Sequence, residues 1–260
     1  MKRTLFFLLI AGLLPFKYAQ SQSETEVNRL KQRLQNSQAD TNRVNLLLEL
    51  AHSFVIKPGE FAIDLDTALL LSRQAYGLSR SLGYLKGQGL SYLLAAQANR
   101  EKGNKQLGMQ LNRRATDLLA TVGTLENQAD TYIEQAAYYT VSRQDLIQQV
   151  GLYERAISLL QRSGNKLKLA DAFMYRGDLY QLQSNNAQGL KDLLLALSLY
   201  RSIGYTHLQE IYDLLGFVYS KVGDYEEGIK YGLLAMQTVE AAKDTVKLAK
   251  VYSRLGKTYH

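Results

Sequence analysis

"IYDLLGFVYSKVGDYEEGIKYGLLAMQTVEAA", Ile211 to Ala242, is the stretch that decides the fold. Two proline-free runs, each apolar at helical spacing, flank the turn residues Gly223-Asp224. That is the pattern of two helices joined by a tight turn. Each run carries one small residue in its interior, Gly216 in the first and Ala235 in the second. Small residues let helix backbones approach closely, and a large side chain there would overpack the contact by roughly 1–3 kcal/mol.

Outward from this stretch, the same features recur about every forty residues. Gly83, Gly123, Gly164 and Gly204 each close an apolar-periodic run, at intervals of 40, 41 and 40. A glycine just past a helix is the usual left-handed cap. "RSLGY" (Arg80–Tyr84) and "RSIGY" (Arg201–Tyr205) are therefore one joint met twice, three units apart. Second helices carry Ala75, Ala115, Ala156, Ala196 and Ala235, spaced 40, 41, 40 and 39. First helices carry Ala51, Ala96, Ala137, Gly177, Gly216 and Gly256, spaced 45, 41, 40, 39 and 40. A fixed internal period of this length indicates stacked helix pairs.

Tyr212, Leu215, Gly216, Tyr219, Gly223-Asp224-Tyr225, Tyr231 and Ala235 resemble the tetratricopeptide repeat (TPR). "VYSRLGKTYH" starts another copy with Tyr252, Leu255, Gly256 and Tyr259. Looser copies keep Gly177, Tyr180, Asn185 and Ala196, or Tyr92, Gly103-Asn104 and Ala115. The resemblance covers residues 41 to 260. It departs from the family in period, which is about 40 here against the usual 34. This longer form is similar to the repeats of kinesin light chains, of Rap-type peptide-binding regulators and of the exported sensor regions of bacterial TPR-containing sensor histidine kinases. The resemblance implies an all-α fold, a right-handed α-α superhelix of antiparallel helix pairs. It also implies a protein- or peptide-binding groove lined by the first helix of each pair.

The expected layout is a leading helix over 24–35, with Ser23 and Glu26 as a capping box, then five pairs. These are 41–56 with 64–81, 86–101 with 104–121, 126–142 with 145–162, 167–182 with 186–202, and 206–221 with 225–241. A last helix starts near Thr245, and Asp40-Thr41 and Asp244-Thr245 read as matching N-caps. Pro58 lies in the widest loop and accounts for the interval of 45. Residues 1–21 read as a signal peptide: Lys2 and Arg3, an apolar run Leu5–Phe16, then small residues at Ala19 and Ser21. Residues 22–40 hold the leading helix and a linker, and 41–260 hold the repeats, the sixth cut short at His260. That uncapped end suggests a longer protein or closure by another chain, including self-association. Export to the periplasm, or to the extracytoplasmic face of the inner membrane, is the expectation.

Three of the seven excess positive charges sit in the signal segment as Lys2, Arg3 and Lys17. The rest are spread over many helices, which argues against nucleic acid. There is no cysteine, and His52, His207 and His260 are not at metal-ligand spacing. No phosphate loop, GxSxG or HExxH is present. The sequence points to no enzyme activity and no cofactor.

What remains is a surface. Counted from each first helix's small residue, one face holds offsets of about −6, −3, +1, +4 and +5. It collects Asn45, Leu48 and His52; Leu93, Gln97 and Arg100; Thr131, Glu134, Tyr138 and Val141; Asp171, Met174, Asp178 and Gln181; and Glu210, Asp213, Phe217 and Ser220. The acids Glu134, Asp171, Asp178, Glu210 and Asp213 suit a neutral or basic extended peptide, with Tyr138 and Phe217 as apolar contacts. Two settings fit: the sensory region of a larger signalling protein of sensor-histidine-kinase type, or a stand-alone exported scaffold for envelope assembly. A peptide-responsive regulator is a further alternative.

Overall fold

The computed structural model describes residues 25–57 and 62–242, and every regular element among them is an α-helix. They are α1 (25–35), α2 (Thr41–Val55), α3 (Ala62–Ser81), α4 (Leu85–Glu101), α5 (Lys105–Val122), α6 (Leu125–Ala136), α7 (Arg143–Ser163), α8 (Lys166–Leu182), α9 (Asn186–Ser202), α10 (Gln209–Lys221) and α11 (Tyr225–Ala242). The signal peptide, Ser23, the Pro58 loop, Asp244-Thr245 and Gly256 lie outside the described residues. Two compact units emerge: Ser23–Thr140 with Glu154–Ser163, and Val141–Tyr153 with the chain from Gly164 onward.

Each unit is built from the expected joint. At "RSLGY" the Tyr84 N–H donates to Ser79 O at 2.8 Å, and at "RSIGY" the Tyr205 N–H donates to Tyr200 O at 3.0 Å. This six-to-one bond needs a left-handed residue between. Gly83 and Gly204 supply it with φ of 66° and 68°. The turns inside a pair use the same closure, with Asn104 N–H to Asn99 O and Asn185 N–H to Tyr180 O. Gly123 departs from the series. Its backbone is extended at φ −79° (ψ 155°), and Thr124 caps α6 directly through a bond from Asn127 N–H.

The small residues sit at the close approaches. Ala51, Ala75, Ala96, Ala115, Ala156, Ala196 and Ala235 are all fully buried. A Cβ on Gly177 would lie 2.9 Å from Leu193 Cγ, and one on Gly216 would lie 3.0 Å from Gly228 O. A facing series on the second helices, Ala68, Gly108, Gly189 and Gly228, is equally buried. A Cβ on Gly108 would meet Ala96 O at 3.0 Å, and one on Gly189 would meet Gly177 O at 2.9 Å.

The third repeat breaks the expected register. α6 ends at Ala136 rather than at 142, and α7 starts at Arg143 rather than at 145. Ala137 is the exposed C-cap of α6, while Ala136 is buried in the packing position. The cause is local: the Ser142 hydroxyl accepts from Asp145 N–H at 3.2 Å and restarts the chain as a new helix. Tyr138 then turns inward, and its hydroxyl donates to Ala96 O at 3.1 Å. α10 also starts late, at Gln209 rather than 206. Tyr205 stays outside it, stacked on Tyr200 at 4.9 Å.

Candidate functional site

The first-helix face divides by offset. The −3 position is buried in four repeats, as Leu48, Leu93, Met174 and Asp213. It points at the second helix of its own pair: Leu93 packs on Ala115 and Leu119, and Met174 Sδ lies 3.8 Å from Tyr200 Oη. Met174 and Asp213 therefore do not line an open face. The one-residue shift of the third repeat removes more of the expected lining. Thr131, Glu134 and Tyr138 are buried at 1%, 3% and 7% exposure. What stays open or half-open is Asn45, His52, Gln97, Arg100, Val141, Asp171, Asp178, Gln181, Glu210, Phe217 and Ser220.

In the N-terminal unit this face is neutralised from inside. Arg100 on α4 forks onto Glu134 of α6, with Nε to Oε1 at 3.0 Å and Nη2 to Oε2 at 3.3 Å. Arg100 Nη1 also meets Glu101 at 2.6 Å. Burial pushes the Glu134 carboxyl above its usual range, and Arg100 offsets this only in part. Asn112 Nδ2 donates to Thr131 O at 3.0 Å and so links α5 to α6.

The C-terminal unit gathers acids and rings instead. Asp171 and Glu210 occupy the −6 position on α8 and α10, the first helices of successive pairs. Tyr200 of α9 is buried and donates its hydroxyl to Asp171 Oδ1 at 2.5 Å. Burial raises the Asp171 carboxyl, with Tyr200 and Lys168 opposing. Tyr175, one turn along α8, is 44% exposed. Burial of its hydroxyl, with Glu210, Asp171 and Tyr205 nearby, pushes it up to about 12. Tyr205 is raised by burial and by the same two carboxylates. His207 meets the Tyr205 ring edge-on at 5.7 Å. Two carboxylates are thus felt by two tyrosines on one surface.

This arrangement suits a cation: aromatic faces attract it through their quadrupole, and the carboxylates add Coulomb attraction. Phe217 sits further along α10, already faced by Lys221 Nζ at 5.2 Å from its ring. The expected residues brought together are Asp171 and Glu210. Sequence reasoning gave Tyr175, Tyr200 and Tyr205 no place in the site. The extended loop after Gly204 was the signal that one of them stands outside a helix. Among the described residues, no group of three or more His, Asp or Glu is placed to hold a metal.

No protein-family model matches the sequence, and no curated protein matches it. Solved structures do. A crystal structure of BtubC (BKLC) from P. vanneervenii superposes with a TM-score of 0.64 at 18% identity, over 86% of this chain and 91% of that one. A Signal Transduction ATPase with Numerous Domains (STAND) protein with a tetratricopeptide repeat sensor, from Pyrococcus horikoshii, gives 0.66 at 17% identity, over 96% of this chain and 40% of that one. A putative kinesin light chain from Podosopora anserina with nearly identical TPR-like repeats gives 0.57 at 13% identity, over 77% and 96%. At these identities the likeness is one of fold. The chain has an all-α fold of TPR-like helical repeats.

Proposed function

We propose that this chain is a non-catalytic binding module for an extended peptide, and that a cationic side chain of that peptide docks between Tyr175, Tyr205, Asp171 and Glu210. The observation that carries the reading is this acidic, aromatic cluster on the first-helix face of a chain that is otherwise basic. The −6 positions of successive first helices supply one carboxylate each, which matches the periodic backbone of an extended partner.

The test uses an acetylated arginine–glycine peptide and its citrulline counterpart, which keeps the shape and loses the charge. Tighter binding of the arginine peptide by about tenfold, lost in Tyr175→Ala with Glu210→Gln, is expected. Equal binding of the two peptides, or binding unchanged in the double variant, overturns the proposal.

For the setting, we propose the extracytoplasmic sensory region of a larger signalling protein of sensor-histidine-kinase type. Support comes from the leader-like residues 1–21 and from the similarity to a STAND protein that uses such repeats as its sensor. This is analogy of fold. The reading frame past His260 tests it. A membrane span and a kinase core are expected, and a stop codon after one more helix would select the stand-alone scaffold. Fusion of residues 1–21 to a reporter active only outside the cytoplasm tests export.

A further inference from the structure

We infer that the cleft between α1 and α2 is a second binding site, one for a small ligand carrying an oxyanion, a carboxylate or a phosphate. It is independent of the cation cluster and lies wholly in the N-terminal unit.

The construction begins with α1. One stripe of this helix, Val27, Leu30 and Leu34, packs into the core with Val44, Leu47 and Ala51. The neighbouring stripe is Arg29, Gln32, Arg33 and Asn36, spaced as one helix face. With Asn42 and Leu46 of α2 it lines a cleft of about 570 Å³. The lining holds two guanidinium groups, three side-chain amides and no carboxylate.

The frame of the cleft is fixed. Arg43 Nη1 donates to Leu34 O at 2.8 Å, Ser37 O at 3.0 Å and Ser37 Oγ at 3.0 Å. Asp40 caps α2 by accepting from Arg43 N–H at 3.0 Å. Arg43 is thus committed to holding the end of α1 on the start of α2. Arg29 and Arg33 are not committed in this way. Their carboxylate neighbours are Glu26 at 3.7 Å and Glu49 at 3.9 Å, and all four side chains are at least half exposed. Ion pairs of that length and exposure hold loosely. The side-chain amides of Gln32, Asn36 and Asn42 make no hydrogen bond among the described residues. Two planar donor forks beside three amides, on a rigid frame, match the geometry of carboxylate or phosphate oxygens.

The experiment titrates the full chain with citrate and, separately, with inorganic phosphate, by calorimetry and by the Nε–H resonances of its arginines. Saturable binding of at least one probe is expected, with Arg29 and Arg33 shifting and Arg43 unmoved. Citrate alone points to a carboxylate ligand, and phosphate alone to a phosphorylated one. Arg29→Gln with Arg33→Gln should weaken binding by tenfold or more, while Lys105→Gln on the exposed start of α5 should not. No saturable binding of either probe overturns the site. So does binding that survives the double arginine change, or shifts confined to other arginines. The resonance assay needs no variant, so it stands even if the double variant unfolds.

Discussion

Two arginine–carboxylate forks of nearly equal geometry sit in different repeats. Arg176 of α8 meets Asp192 of α9 through Nε at 2.6 Å and Nη2 at 3.0 Å. Arg100 of α4 meets Glu134 of α6 through the same two nitrogens. The first fork stitches the two helices of one pair. Its arginine lies over the rings of Phe173 and Tyr180, and Asp192 is 1% exposed. The second joins one repeat to the next, and its arginine stays a quarter exposed and shares Glu101. A contact inside a pair is closed on all sides by its own helices. The contact between pairs keeps an edge to water at Arg100.

Removing the carboxylates should expose that difference most. Asp192→Ala removes the nearly buried carboxylate that Arg176 forks onto and should cost about 3–5 kcal/mol in urea unfolding. Glu134→Ala should cost clearly less, because Arg100 keeps Glu101 and water. Equal losses would erase the distinction between the two forks.

The register of the third repeat is the next point of attack. Ala136→Leu should cost roughly 1–3 kcal/mol by overpacking. Ala137→Leu, on the exposed cap, should stay within about 0.5 kcal/mol. The reverse order would return Ala137 to the interior and α6 to its longer form.

Titration sharpens the comparison further. Glu134 is raised by burial, so the folded chain holds its proton more tightly than the unfolded chain. Its contribution is then fully present below the unfolded value and is lost as pH rises through the folded one. Wild type should gain on Glu134→Gln as pH falls from neutral toward about 5, read as the difference between two unfolding curves. A flat difference would mean that Arg100 fully offsets the burial.

The smallest effect belongs to the turns. Ser184 takes φ 62° where the α4–α5 turn has Gly103 at 84°. Ser184→Gly should stabilise by up to about 1 kcal/mol, since relief of the left-handed strain is partly offset by chain entropy. A lower melting temperature would show that the serine side chain compensates locally.

Most helices were legible in the sequence because their signals are local. Caps, left-handed glycines and a 3.6-residue apolar period each report on a few neighbours. The α4–α5 and α8–α9 pairs fall within a residue or two of expectation. The failures came where one reading was carried by a count. Ala136 and Ala137 are both alanine, so composition could not choose between them. The choice rested on Ser142 as a cap, a signal present in "SRQD" and outweighed by the repeat spacing. The candidate face suffered the same way. Glu134 and Tyr138 looked exposed only because the register was one residue off.

The sequence by itself determined the repeat, its joints and the small residues, because helix period and capping are written in neighbours along the chain. The tertiary structure alone decided which side of each first helix is open. The −3 position is apolar in three repeats and acidic in one, yet it is buried in all four. It also decided that Asp171 and Glu210 lie near enough to Tyr175 and Tyr205 to raise both phenols, and that Arg29 and Arg33 line one cleft with Asn42. Those groups meet through packing between helices, and no local pattern records which helix a side chain will face once the pairs stack.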